Sequence, residues 1–164
     1  MDEVQQLANM LQNYAAGEEL KKQQFEAQCQ AWVQAIGDLY RDIEAWLAPL
    51  SGAGLLEITR EPYVAVDSAF PLPVSPFVSE KLAVTLALRS VELIPQVMAA
   101  RGQVVISVVG LTSDRYGSIS LVRPAVGDAW QWRKDRGIKE PEVHDLTADY
   151  LALQLQGLIP RARD

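Results

Sequence analysis

The sequence predicts an α+β protein: a long N-terminal helix, an antiparallel meander of five to six strands, and a C-terminal helix packed on the sheet. Three observations predict it. Residues 2–48 contain no proline and are mostly good helix formers. From about residue 56 the pattern changes to short apolar runs separated by glycine and proline. The last twenty residues return to helical spacing before Pro160. Helices at both ends with a run of strands between them is the order in which helices lie on one face of an antiparallel sheet.

In the first region apolar residues recur at Val4, Leu7, Leu11 and Tyr14, then at Phe25, Cys29, Trp32, Ile36, Leu39, Ile43 and Trp46. Gaps of three and four are the period of one helix face. Between the two runs the same face carries Glu18 and Lys21, and Ala15-Ala16-Gly17 marks a weak point where the helix is expected to bend or break. An unbroken helix over residues 2–48 would be about 70 Å long at 1.5 Å per residue. A compact domain of this size is only about 40 Å across. The chain is therefore divided into an N-terminal helical extension, 1–17, and an α+β domain, 18–164, with the main helix running from about Glu18 to Leu47. Either the chain turns near Gly17 or the first turns overhang and need a partner.

Pro49 is expected to end that helix and Ser51-Gly52-Ala53-Gly54 to turn the chain out of it. Residues 56–66 read as a strand, with Pro62 implying an edge position or an interruption. Residues 67–79 hold Pro71, Pro73 and Pro76 among Phe70, Leu72, Val74 and Phe77, and read as an extended loop that is either a lid on the core or a docking strip. Further strands are expected at 82–89, 91–97, 103–109, 115–123 and 129–134, with Trp130 and Trp132 on one face of the last. Asp145 or Thr147 is placed to cap a final helix to about Leu158, with Leu146, Tyr150, Leu153 and Leu158 on its apolar side.

Composition excludes several function classes. With 49% hydrophobic and 22% charged residues, the 164-residue chain is ordinary globular material. It has one cysteine, Cys29, and one histidine, His144, more than a hundred positions apart. That leaves no zinc-ligand spacing, no Cys–His pair and no internal disulfide, and no metal or cofactor is expected. The acidic, polar start and the absence of a long apolar run predict a protein with no membrane span that is cytoplasmic, or at most exported by a route that leaves no N-terminal mark. Ser51-Gly52-Ala53-Gly54 follows a helix and precedes a strand, the reverse of the order a nucleotide-binding glycine loop requires.

Net charge is −6 but unevenly placed. Residues 1–60 carry four bases against nine acids, a net of −5, whereas residues 101–139 carry seven bases against three acids, a net of +4. Within the second segment Arg115, Tyr116, Arg123, Arg133, Lys134 and Arg136, with Lys139 and the two tryptophans, combine cations and rings in the manner of a phosphate- or base-contacting surface. The opposing consideration is that paired tryptophans on a strand are more often core, and that the chain as a whole is acidic. Glu140, Glu142, Asp145 and Asp149 crowd the start of the last helix, where the helix dipole favours acids without any catalysis.

Three functions follow. The first is a non-enzymatic protein-binding module of adaptor, inhibitor or immunity type, self-associating as a homodimer through Val4, Leu7, Leu11 and Tyr14. The second is a nucleic-acid or small-anion binder using residues 115–139. The third is an enzyme with an unfamiliar carboxylate site around residues 140–149.

Overall fold

The computed structural model describes residues 2–65, 77–96, 103–111 and 118–160. Helix α1, Glu3–Gly52, is followed by strands β1 (Glu57–Ala65), β2 (Phe77–Leu86), β3 (Arg89–Pro95), β4 (Val104–Val109), β5 (Ile119–Arg123), β6 (Gln131–Arg136) and β7 (Lys139–Asp145), then by helix α2, Ala148–Gln156. The strands form one sheet in sequence order, each antiparallel to the next. The predicted architecture holds, with seven strands among the described residues rather than five or six.

Helix α1 is one element of 50 residues that passes through Gly17 without a break. It is about 75 Å long at 1.5 Å per residue, so the chain takes the overhanging alternative and the extension begins as part of the main helix. Asp2 caps its start, accepting a hydrogen bond from the Gln5 amide at 2.8 Å. Pro49 does not end it. The helix continues to Gly52 with Pro49 inside its last turn. The stop is made instead by Gly54 at φ +75°: the Leu55 amide donates to the Leu50 carbonyl and the Gly54 amide to the Ser51 carbonyl, the paired bonds of a Schellman motif.

Register explains which residues make the core. The pairs Val84–Val91, Leu82–Leu93, Leu93–Val108, Ile106–Leu121 and Leu121–Trp132 line one face of the sheet. On that face lie Trp32, Ile36, Leu39, Tyr40, Ile43 and Leu47 from α1 and Leu151, Leu155 and Leu158 from the C-terminal region, all buried in one cluster. The opposite face carries Glu61, Lys81, Glu92, Ser107, Ser120 and Arg133, with Lys81 bridging Glu61 and Glu92 at 3.4 and 3.9 Å. Among the described residues, both helices lie on the same side of the sheet.

Several expectations are corrected. The strand read through Leu88 and Arg89 is a hairpin: β2 ends at Leu86, and Ala87 and Leu88, at φ +51° and +64°, turn the chain into β3. Two positive φ values identify a turn that normally takes Asn-Gly, and alternation of apolar residues concealed it. The expected loop 67–79 lies outside the described residues up to 76, and its last three positions belong to β2. The connection between the expected strands 91–97 and 103–109 lies outside them. Strand β7, Lys139-Glu-Pro-Glu-Val-His-Asp145, was invisible in sequence because it is charged and contains Pro141; such a strand survives only at an edge, and β7 is one. His144 therefore stands near the end of β7, just ahead of α2. Thr147, not Asp145, caps α2, accepting from the Tyr150 amide at 3.1 Å. Leu153 is exposed rather than part of the apolar side of α2.

Candidate functional site

The two halves of α1 repeat one apolar spacing in opposite surroundings. Trp32, Ile36, Leu39 and Ile43 are at most 2% exposed, whereas Val4, Leu7, Leu11 and Tyr14 are 75, 55, 58 and 68% exposed. Met10 and Leu20 are exposed beside them. Of the described side chains in residues 2–31, only those of Ala8 and Cys29 are partly covered. The sheet begins to cover the helix at Cys29 and Trp32, so about 28 residues, roughly 40 Å of helix, stand clear of it.

The azimuth of the free stripe follows from the helix period. Val4 and Tyr40, Leu7 and Ile43, and Leu11 and Leu47 are each separated by 36 positions, about ten turns at 3.6 residues per turn. The uncovered residues therefore lie in line with residues that the sheet buries to 0–2%. The flanks of the projecting part are polar and self-supporting: Gln5 donates to Asn9 at 3.3 Å, Gln23 to Glu19 at 3.4 Å, and Lys21 meets Glu18 at 3.6 Å. Such i,i+3 and i,i+4 contacts contribute only a few tenths of a kcal/mol each, about 0.2–0.5. Most helical stability in proteins comes from packing of an amphipathic face, and among the described residues this part of α1 has none.

The described cations of the basic segment are divided between the two faces of the sheet. Arg115 and Tyr116 lie outside the described residues. Register sets Arg123 opposite Val104 and Lys134 opposite Ile119, on the core-facing side of the sheet, and Arg133 opposite Ser120 on the other side. Arg136, past a register shift, donates through Nε to the Glu140 carbonyl at 2.8 Å. Trp132 is buried in the core and Trp130 is partly buried against it. Arg133 reaches Gln131 at 3.4 Å, and the Nε atoms of Arg123 and Arg133 are buried without a hydrogen-bond partner.

The acidic residues near α2 divide as well. His144 Nε2 and Glu142 Oε1 are 2.7 Å apart, and the His144 ring stacks on Tyr150 with centroids 4.8 Å apart. Tyr150 in turn meets Trp132 edge-on at 5.7 Å. The His144 bond, with Arg136 and Lys134 nearby, holds the Glu142 carboxyl below its ordinary range. A carboxylate kept ionised in this way is suited to anchoring, not to giving up a proton. Asp145 points from the other face of β7 and Asp149 lies in the first turn of α2, so no two of these acids face across a cleft. No group of three His, Cys, Asp or Glu side chains capable of holding a metal occurs among the described residues.

Sequence reasoning missed one feature. A cleft of about 500 Å³ runs between α1 and the β1–β2 edge, lined by Val33, Gly37, Tyr40, Arg41, Arg60 and Glu80 among others. Its floor is Tyr40, whose hydroxyl donates to the Glu80 carbonyl at 2.9 Å and shares its proton with the Leu93 carbonyl at 3.2 Å. Arg60 lies 5.6 Å above the Tyr40 ring and pairs with Glu44 and Glu80. These partners are separated by tens of positions, so no local motif announces them. The Glu142–His144 pair, by contrast, is an i,i+2 strand spacing that period-two reading would find once β7 is recognised.

No helix among the described residues is long and apolar enough to cross a membrane. Comparison with protein-family models, curated proteins and solved structures gives no match.

Proposed function

We propose that the chain is a non-enzymatic protein-binding module, of adaptor, inhibitor or immunity type, that self-associates through the projecting part of α1. One observation carries the reading: an apolar stripe of four residues, 55–75% exposed, continues the azimuth of a stripe the sheet buries completely. Large apolar side chains arranged in line, on a helix without cover among the described residues, are the form in which one helix presents itself to another. Covering Val4, Leu7, Leu11 and Tyr14 also supplies the packing that a bare helix lacks. A reducing, cytoplasmic setting suits this reading, because the lone Cys29 has no disulfide role.

Sedimentation equilibrium of the full chain beside the Leu7→Glu/Leu11→Glu variant tests it. The expected result is a concentration-dependent dimer for the native chain and a monomer for the variant, with the same near-ultraviolet spectrum from the buried tryptophans. Two monomers up to about 100 µM, where an association worth roughly 5–6 kcal/mol would register, overturn self-association.

A second reading, a nucleic-acid or small-anion binder, rests on the cations of β6 and on the Arg133 Nε, which is left without a hydrogen-bond partner. It requires salt-sensitive binding of an oligonucleotide or inorganic phosphate that weakens when Arg133, Lys134 and Arg136 are replaced together. No binding at low salt removes it.

A further inference from the structure

From the position of the free stripe relative to the sheet, we infer that two copies of this chain pair their projecting helices antiparallel, with Val4 of one against Tyr14 of the other and Leu7 against Leu11. The inference rests on the self-association proposed above and adds its orientation and register.

The first reason is steric. Leu7 and Leu11 share their azimuth with Ile43 and Leu47, which are buried against the sheet. A second helix seated on the stripe therefore occupies the space that the sheet itself occupies further along α1. Packed helices lie about 8–10 Å apart and a helix lies at a similar distance from the sheet beneath it. A parallel partner, continuing past residue 28, would run into the sheet of the first copy. An antiparallel partner leaves in the opposite direction, and its own sheet lies beyond the first copy's tip. The two-fold arrangement uses the same patch on both copies and closes on itself.

The second reason is charge. A parallel, in-register pair would set Glu18 on Glu18 and Lys21 on Lys21 along the seam, and would bring the two acidic tips, Asp2 and Glu3, together. In the antiparallel pair Glu18 and Lys21 fall outside the overlap and keep their own contact at 3.6 Å. Asp2 and Glu3 then lie level with Ala16 and Ala15 of the second copy, small side chains that leave both carboxylates in water.

Register follows from the stripe. Setting residue i level with residue 18 − i gives Val4–Tyr14 and Leu7–Leu11 twice each, so every stripe residue meets an apolar counterpart. Longer overlaps would place Leu7 or Val4 against Glu18 or Lys21. The chosen overlap is about 15 residues, roughly 22 Å, and leaves about 18 Å of helix between the partner's tip and the start of the sheet at Cys29. An interface of this size falls at the small end of specific contacts, below about 1,200 Å² in total, so the dimer is a weak one that shifts with concentration.

Disulfide mapping in the full chain tests it. Cys29→Ser removes the native thiol, and Val4→Cys and Tyr14→Cys are introduced into that background separately. On mild oxidation the antiparallel pair predicts a dimer band from the mixture of the two proteins and none from either alone, since self-pairs would be about 15 Å apart along the axis. Val4→Cys linking to itself would overturn the orientation in favour of a parallel pair. A dimer that persists in sedimentation with no cross-link from either protein or their mixture would overturn the register. A Cys29→Ser protein that sediments as a monomer removes self-association itself, and so is distinguishable from both.

Discussion

The N-terminal and C-terminal halves of α1 share a helix, a spacing and an azimuth, yet one is solvent-exposed and the other is the centre of the core. The difference lies in what the rest of the chain provides. Seven strands in a meander cover about twenty residues of helix, from Cys29 to Leu47, and both helices occupy the same face of the sheet. Nothing among the described residues reaches Val4 to Tyr14. Helical periodicity thus reports that a face is apolar without reporting what meets it.

Mutations should separate the halves. Trp32→Ala, in the covered half, is expected to lower unfolding free energy by about 3–5 kcal/mol, read by denaturant titration. Leu7→Ala, the same kind of deletion in the free half, is expected to change it by less than about 0.5 kcal/mol at high dilution and to weaken self-association instead. A large stability loss from Leu7→Ala in dilute solution would mean that the free half is covered within one subunit.

Tyr40 sharpens the account of the covered half. Its hydroxyl ties α1 to β2 and β3, and burial, reinforced by Glu80 and opposed by Arg60, raises its ionisation well above the ordinary phenol range. A phenol whose folded value is raised stabilises the fold fully below its unfolded value near 10. That contribution is lost as pH rises above it, because the unfolded chain ionises first. Stability of the native chain should therefore fall from about pH 10 upward. Tyr40→Phe should lose about 1–2 kcal/mol at neutral pH and show a shallower alkaline decline. Equal alkaline slopes for the two proteins would contradict the assignment.

Smaller effects are expected at two backbone positions. Leu88 is fully exposed at φ +64°, so Leu88→Gly should stabilise the β2–β3 hairpin by about 1 kcal/mol. In the free half, nothing lies within 4 Å of where a Gly17 side chain would stand. Gly17→Ala should therefore raise helicity in far-ultraviolet circular dichroism, favouring the helix by up to about 1 kcal/mol.

These contrasts also show what was legible in sequence. The order of elements, the edge position of β1 at Pro62 and the core stripe from Trp32 to Ile43 were all readable, because each follows from local spacing or from a missing donor. The β2–β3 turn was not, since Ala87-Leu88 adopts a conformation that its residues disfavour and tertiary pairing imposes. Strand β7 was not, since its hydrogen bonds come from β6 and its own residues say only that it is polar. The Tyr40 cleft depends on contacts 40 and 53 positions apart. The free stripe was readable, but the fact that it lies in line with the sheet required the unbroken passage of the helix through Gly17.

Amide hydrogen exchange of residues 3–16, followed across protein concentrations at constant pH and temperature, decides whether the free half of α1 pairs with a second copy. The expected result is rapid exchange when dilute and protection that grows with concentration, while residues 32–47 keep strong protection throughout. Protection of residues 3–16 that is the same at every concentration would contradict it.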